Sequence, residues 1–177
     1  MSIIAQIKKG DQEAFERLIE EYKLPIYKTA KAILKDEDDV CDAIQDTCLS
    51  IYKNINKLKN EKHFKTWVIR ITINKCYDII SKHKLNNEKT IKMQSNILDF
   101  QSDFDNNVIA KTDLEMAMNL LEEDLKIVTV LYYYNDMSIS DISMVLNIPK
   151  GTVKSRVFRA REKLYHILNK EEVCINE

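Results

Sequence analysis

Between Lys150 and Lys163 the chain carries six cations, Lys150, Lys154, Arg156, Arg159, Arg161 and Lys163, against one acid, Glu162. Cations at this density neutralise phosphates and donate hydrogen bonds to base edges. Helical spacing sorts them. Val153, Val157, Ala160 and Leu164 recur at i, i+4, i+7 and i+11 as one buried stripe, and at about 100° per residue Ser155, Phe158 and Arg159 point the other way. Lys154 and Arg156 flank them. Phe158 on the wet side has no packing duty there and suits a thymine methyl. Gly151, lacking a Cβ, lets backbone amides at a helix start approach a phosphate. Lys154, Ser155, Phe158 and Arg159 are therefore candidates for reading bases, and Lys150, Thr152, Arg156 and Arg161 for positioning on phosphates. An ordinary helical hairpin with a solvated basic face is the plain alternative.

A second cluster lies earlier. Trp67, Arg70, Asn74 and Tyr77 recur at i, i+3, i+7 and i+10, beside Lys75 and Lys82. Aromatic rings among cations are what unpaired nucleic acid requires, for stacking on bases and for neutralising phosphates. Phe64 belongs to the same segment, and burial in a core accounts for it equally well.

The elements that must hold these residues are mostly helices. Ser138 and Asp141 form a start signal ahead of the stripe Ile139, Ile142 and Leu146. Asn147 suits the left-handed closing position, and Pro149 the first turn of the next helix. Two short helices at a tight corner, the second one basic, make a helix-turn-helix. Leu114, Ala117, Met118, Leu121, Leu125, Val128 and Leu131 provide helical packing beneath it. At the other end, Asp11 caps a helix bearing Ala14, Phe15, Leu18, Ile19 and Tyr22, with a kink expected at Pro25. The acidic run Asp36 to Asp39 suits a helix N-terminus. That helix offers Val40, Ile44, Thr47, Leu49, Ile51 and Tyr52 as apolar positions and Asp42, Gln45 and Asp46 as polar ones. Val68 to Ile73 is β-branched and alternating, but the segment from Phe64 to Lys82 has no turn residue and is too long for a strand, so a helix is expected.

Ser138-Ile-Ser-Asp-Ile-Ser-Met-Val-Leu-Asn-Ile-Pro-Lys-Gly-Thr-Val-Lys-Ser-Arg-Val-Phe-Arg-Ala-Arg-Glu-Lys-Leu164 resembles the DNA-reading region of bacterial sigma factors of the extracytoplasmic-function branch. Ser143 and Asn147 stand where Ala and Gly are usual. Asp39-Val-Cys-Asp-Ala-Ile-Gln-Asp-Thr-Cys-Leu49 is similar to the segment that binds core RNA polymerase. The resemblance implies that Asp42, Gln45 and Asp46 meet the clamp helices of the largest subunit. The order F-x-x-W-x-x-R-I-x-x-N-x-x-x-D, from Phe64 to Asp78, resembles the promoter-melting region, which implicates Phe64, Trp67, Arg70, Asn74, Lys75 and Lys82. Taken together, these likenesses span roughly residues 10–84 and 112–168.

The charge distribution agrees. The net charge is −1, yet residues 53–84 carry nine Lys/Arg and two acids, residues 85–125 three and nine, and residues 126–170 eight and three. Two basic blocks flank an acidic one, as expected of two nucleic-acid contacts joined by a tether. The expected architecture is all-α, with two small helical domains (1–84 and 112–170), a flexible acidic linker (85–111) and a frayed tail from Asn169. Its partners by resemblance are core RNA polymerase, promoter DNA and an anti-sigma protein. Neither a cofactor nor a small-molecule substrate is expected. No apolar leader opens the chain and no run reaches the ~20 apolar residues of a membrane span, so a cytoplasmic protein is expected. Four cysteines without C-x-x-C spacing read as reduced thiols. No Gly-rich phosphate loop, H-E-x-x-H or nucleophile elbow occurs. A stand-alone helix-turn-helix regulator would use the same basic helix without polymerase. A metal- or thiol-dependent enzyme would need Cys41, Cys48, Cys76 and His63 to converge.

Overall fold

The computed structural model describes residues 2–93 and 113–174, and these form helices and turns with no strand among them. The first bundle comprises α1 (Ile3–Ile7), α2 (Gln12–Ile33), α3 (Glu37–Asn54) and α4 (Phe64–Met93). Two 3-10 turns, Ile55–Lys57 and Glu61–His63, join α3 to α4. The second bundle comprises α5 (Asp113–Asn119), α6 (Glu123–Thr129), α7 (Ile139–Leu146) and α8 (Lys150–Cys174), with one π-helical turn, Val130–Tyr134, before α7. Most of the expected linker lies outside the described residues, although α4 runs past residue 85, where that linker was expected to begin. The expected fraying from Asn169 is not seen as far as Cys174, which still belongs to α8.

Caps account for where the helices begin. The Asp11 carboxylate accepts from the Ala14 amide at 3.0 Å, and Asp36 accepts from the amides of Asp38 and Asp39 at 2.8 and 3.2 Å. Each satisfies N–H groups that the helix itself cannot, and places negative charge where the helix dipole favours it. Pro25 sits inside α2 without ending it. Val68 to Ile73 is helical, because α4 is covered on one face from Phe64 to Ile79 and burial overrides β-propensity.

Burial corrects the reading of α3. Val40, Ala43, Thr47 and Ile51 face inward, whereas Leu49 and Tyr52 are exposed. Leu49 lies two residues from both Thr47 and Ile51, on the face of α3 opposite the stripe that α2 and α4 cover. Tyr52 lies edge-on to Phe15, with ring centroids 5.2 Å apart.

The two bundles share a core. Ala32, Ile69 and Ile73 of the first pack with Val128, Leu131, Ile142, Val153 and Ala160 of the second. Inside this seam Asn135 Nδ2 donates to Thr29 Oγ1 at 2.8 Å, and Thr29 in turn donates to the Pro25 carbonyl at 2.7 Å. At its edge the Lys28 ammonium lies 3.7 Å from the Tyr134 ring centroid, a cation–π contact. Tyr134 thus helps to join the bundles. Burial, together with Lys31 and Lys35 nearby, pulls the pKa of Lys126 below the ordinary lysine value.

Candidate nucleic-acid interface

The corner between α7 and α8 is built as its residue types demand. Ser138 Oγ accepts from the Asp141 amide at 3.1 Å and donates to Asp141 Oδ2 at 2.6 Å. Asn147 adopts the left-handed conformation, with φ 53°, which its short polar side chain tolerates. Ser143 donates to the Ile148 carbonyl at 2.6 Å. The hydroxyl therefore ties the turn that α8 must leave.

From that corner α8 lays Val153 and Ala160 into the shared core, with Val157 and Leu164 half-buried. Its opposite side is open. Phe158 is 51% exposed, a costly position for a ring that water alone covers. Lys150, Lys154, Ser155, Arg159 and Arg161 are also exposed, and Thr152 is half-buried. The Arg161 guanidinium lies 5.5 Å from the Phe158 ring centroid, and Arg159 Nε donates to the Ser155 carbonyl at 3.4 Å. Arg156 is the exception in this set. It turns inward to Asp124 of α6, with Nε 3.0 Å from Oδ2, so one protein carboxylate already holds the guanidinium expected to meet phosphate. Gly151 is exposed, and a Cβ there would touch nothing in the chain.

The earlier cluster divides by burial. Trp67 is half-buried, while Arg70, Asn74, Tyr77 and Lys82 are exposed. Lys75 is half-buried, 3.7 Å from Asp78. Phe64 is not part of this surface. It is 3% exposed, edge-on to Tyr22 at 5.0 Å and tilted against Trp67 at 5.9 Å. The expectation that Phe64 contacts promoter DNA is corrected accordingly: it opens α4 beneath Trp67 and faces α2, so no base can reach it. Trp67, Asn74 and Tyr77 instead form one wall of an open groove of about 570 Å³, and Ser50, Asn54 and Lys57 form the other. These last three were missed in the sequence. Only the surplus of lysine after residue 53 pointed there, because a groove between α3 and α4 is set by their packing rather than by any local spacing.

On α3, Asp42 and Gln45 are exposed and Asp46 is half-buried. Leu49 continues the same ridge one turn later. Asp39, at the head of the ridge, is 2.9 Å from His83 Nε2 of α4. Cys41 is exposed and Cys48 half-buried, and burial pushes the Cys76 thiol up to about 12. No three His, Cys, Asp or Glu side chains come close enough to hold a metal ion among the described residues. Nor, among them, is any helix long and apolar enough to cross a membrane.

Comparison with known proteins matches these two surfaces to two family modules. Sigma-70 region 2 matches residues 18–85, and Sigma-70 region 4 matches residues 111–164. The chain is 33% identical over 175 residues to the ECF RNA polymerase sigma factor SigW of Bacillus subtilis, covering 91% of this chain and 92% of that one. This protein belongs to the extracytoplasmic-function sigma factors. A second relative of this family, the sigma-E factor of Haemophilus influenzae, is 28% identical over 176 residues, covering 92% of both chains. The fold agrees with two solved structures. Bartonella quintana RpoE, in complex with the anti-sigma factor NepR, has a TM-score of 0.69 at 21% identity, over 88% of this chain and 96% of that one. CnrH, in complex with the cytosolic domain of CnrY, has a TM-score of 0.65 at 23% identity, over 95% and 96%.

Proposed function

We propose that this sigma factor joins core RNA polymerase through the exposed ridge of α3, holds the opened downstream promoter element in the α4 groove, and reads the upstream element as duplex with α8. Asp42, Gln45 and Asp46 meet basic residues of the largest subunit's clamp helices, and exposed Leu49 adds apolar contact to the same ridge. Trp67 and Tyr77 stack on unpaired bases, while Arg70, Lys75 and Lys82 neutralise the strand and Asn74 bonds a base edge. Lys154, Ser155, Phe158 and Arg159 read bases in the major groove, with Lys150, Thr152 and Arg161 on phosphates. Arg156 reaches phosphate only by leaving Asp124. The first two tasks fall to the domain ending near residue 84, and the third to the domain spanning residues 112–170.

One observation carries this reading. Two cationic, aromatic-bearing surfaces are open at once on different helices, one a groove and one a protruding face. The chain acts as an initiation factor and not an enzyme: strand separation is favoured because exposed bases find stacking partners, and no bond is cleaved. It works in the cytoplasm, where polymerase and DNA are. Of the two solved structures it resembles, the sigma factor RpoE is bound to the anti-sigma factor NepR and CnrH to the cytosolic domain of CnrY, which supports control of this chain by an anti-sigma partner.

Run-off transcription with core polymerase, with and without this protein, tests the whole reading, and Asp42→Lys tests its first step. The variant is expected to lose core binding and transcription while keeping its thermal midpoint, since Asp42 is exposed and forms no contact that the fold needs. Normal core affinity in this variant would remove the docking surface from α3. Strong, specific duplex binding by the chain alone, with no transcription on adding core, would make it a stand-alone regulator instead.

A further inference from the structure

The short helix α1 lies outside the residues matched to region 2, and nothing in the function above uses it. It packs against α2, in a cluster with Ala14 and Leu18, and its long-range polar bonds run to one place. Ile4 and Ile7 are buried in the same cluster as Ile55, Leu58 and Phe64. Lys8 Nζ donates to the Leu58 carbonyl at 2.6 Å, and Ser2 Oγ donates to Glu61 Oε1 at 2.9 Å. Both bonds reach the segment joining α3 to α4, across 50 and 59 residues of chain.

That segment has little to hold it from within. Leu58 N–H closes the first 3-10 turn on Ile55, and His63 N–H closes the second on Asn60. Between the turns, Leu58 to Asn60 has no helical ladder, and its place is set by the burial of Leu58, by Asn60 Oδ1 accepting from the Lys62 amide at 3.0 Å, and by the bond from Lys8. Lys57, one residue earlier, lines the groove opposite Trp67. Phe64 and Trp67 follow directly as α4 begins. A shift at Leu58 therefore moves a cation on one wall of the groove and the entry of the helix that makes the other.

We propose that α1 is the positioning element of the strand-binding groove, with Lys8 holding the α3–α4 connection at Leu58 so that Lys57 and Trp67 face each other at the spacing an unpaired base requires. The proposal rests on reading the groove as the site for unpaired DNA. Its physical content is preorganisation. A wall already fixed by α1 loses no freedom when a strand binds, whereas a loosened wall must be ordered at that moment, at the expense of affinity. Lys8 touches neither the strand nor the polymerase ridge in this arrangement and acts only through the connection.

The test uses full-length protein in complex with core polymerase. The probe is fluorescein-labelled single-stranded DNA carrying the promoter sequence found by run-off transcription. Lys8→Met keeps the aliphatic stem and removes the donor, and is expected to weaken strand binding about five- to tenfold, as for a charged hydrogen bond passed on in part. Lys8→Arg, which can still donate to the Leu58 carbonyl, should restore it to within about twofold on the same principle. Affinity for core and for upstream duplex should stay at the wild-type value in both. Tyr77→Ala serves as the control on the groove itself. If it weakens strand binding and Lys8→Met does not, the role of α1 is overturned while the groove stands. If neither variant changes it, the groove reading fails first. If Lys8→Met weakens strand, duplex and core binding alike, Lys8 supports the whole fold and the positioning role is overturned. Ser2→Ala, expected to act in the same direction with a smaller effect, provides a second variant at the other end of α1.

Discussion

α4 and α8 are both long cationic helices whose inner faces enter one core, Ile69 and Ile73 from the first and Val153 and Ala160 from the second. Their outer faces differ. On α8 the exposed residues, led by Phe158 and Arg159, stand clear of the bundle. On α4, Trp67, Asn74 and Tyr77 form one wall of a groove whose other wall is the end of α3 and the turn after it. The difference follows from the shape of the ligand. An intact duplex brings its own groove, so the protein must protrude into it. An unpaired strand brings flat bases and a flexible backbone, so the protein must supply the concavity and the rings. The same residue types, cations with an aromatic, thus serve two opposite geometries.

The largest effect is expected where the two helices meet. Ile69 is fully buried in the shared core, and Ile69→Ala should cost about 2–5 kcal/mol of stability, measured by denaturant unfolding. It should also lower the affinity of both surfaces together. Loss at only one of them would mean that the bundles are energetically separate. Next comes Tyr77→Ala, expected to weaken binding of unpaired strand by about 1–3 kcal/mol in a fluorescence titration, with duplex affinity untouched. An equal loss on duplex would erase the contrast between groove and protrusion. Arg159→Ala should do the converse. Its expected cost is about 1–3 kcal/mol, confined to one base pair of the upstream element, as read from a panel of substituted duplexes; a uniform loss across the panel would place Arg159 on phosphate. The smallest effect belongs to Lys154→Ala, which should relax base preference at one position of the upstream element with little change in the slope of log affinity against log salt. A slope lower by about one, with base preference unchanged, would move Lys154 to the phosphate-positioning set.

Much of α8 was legible because its signals are local. A cap at Ser138, a left-handed Asn147 and a four-residue apolar stripe each act within one or two turns, and each appears where the spacing places it. The outward set opposite that stripe then follows from helical geometry alone. α4 was less legible. Of its stripe, Arg70, Asn74 and Tyr77 are exposed and Trp67 is half-buried, but Phe64 and Trp67, three residues apart on one helix, have different fates. Tyr22 of α2 closes over the first, and nothing near in sequence announces that. The misplacement of Leu49 and Tyr52 has the same origin. Both are apolar enough for a core, and only the positions of α2 and α4 leave them outside.

By itself, then, the order of residues determined the helices, their caps, the corner at Asn147 and the two basic blocks, because each depends on groups a few residues apart or on charge summed along the chain. Tertiary structure alone decided that the bundles share a core through Ile69, Ile73 and the Thr29–Asn135 bond. It alone opened a groove between Asn54 and Trp67 and brought Lys8 to the carbonyl of Leu58. Those outcomes depend on which of several adequate apolar faces meet. That choice is made by mutual fit between segments tens of residues apart, where no single stretch of sequence holds both halves of the contact.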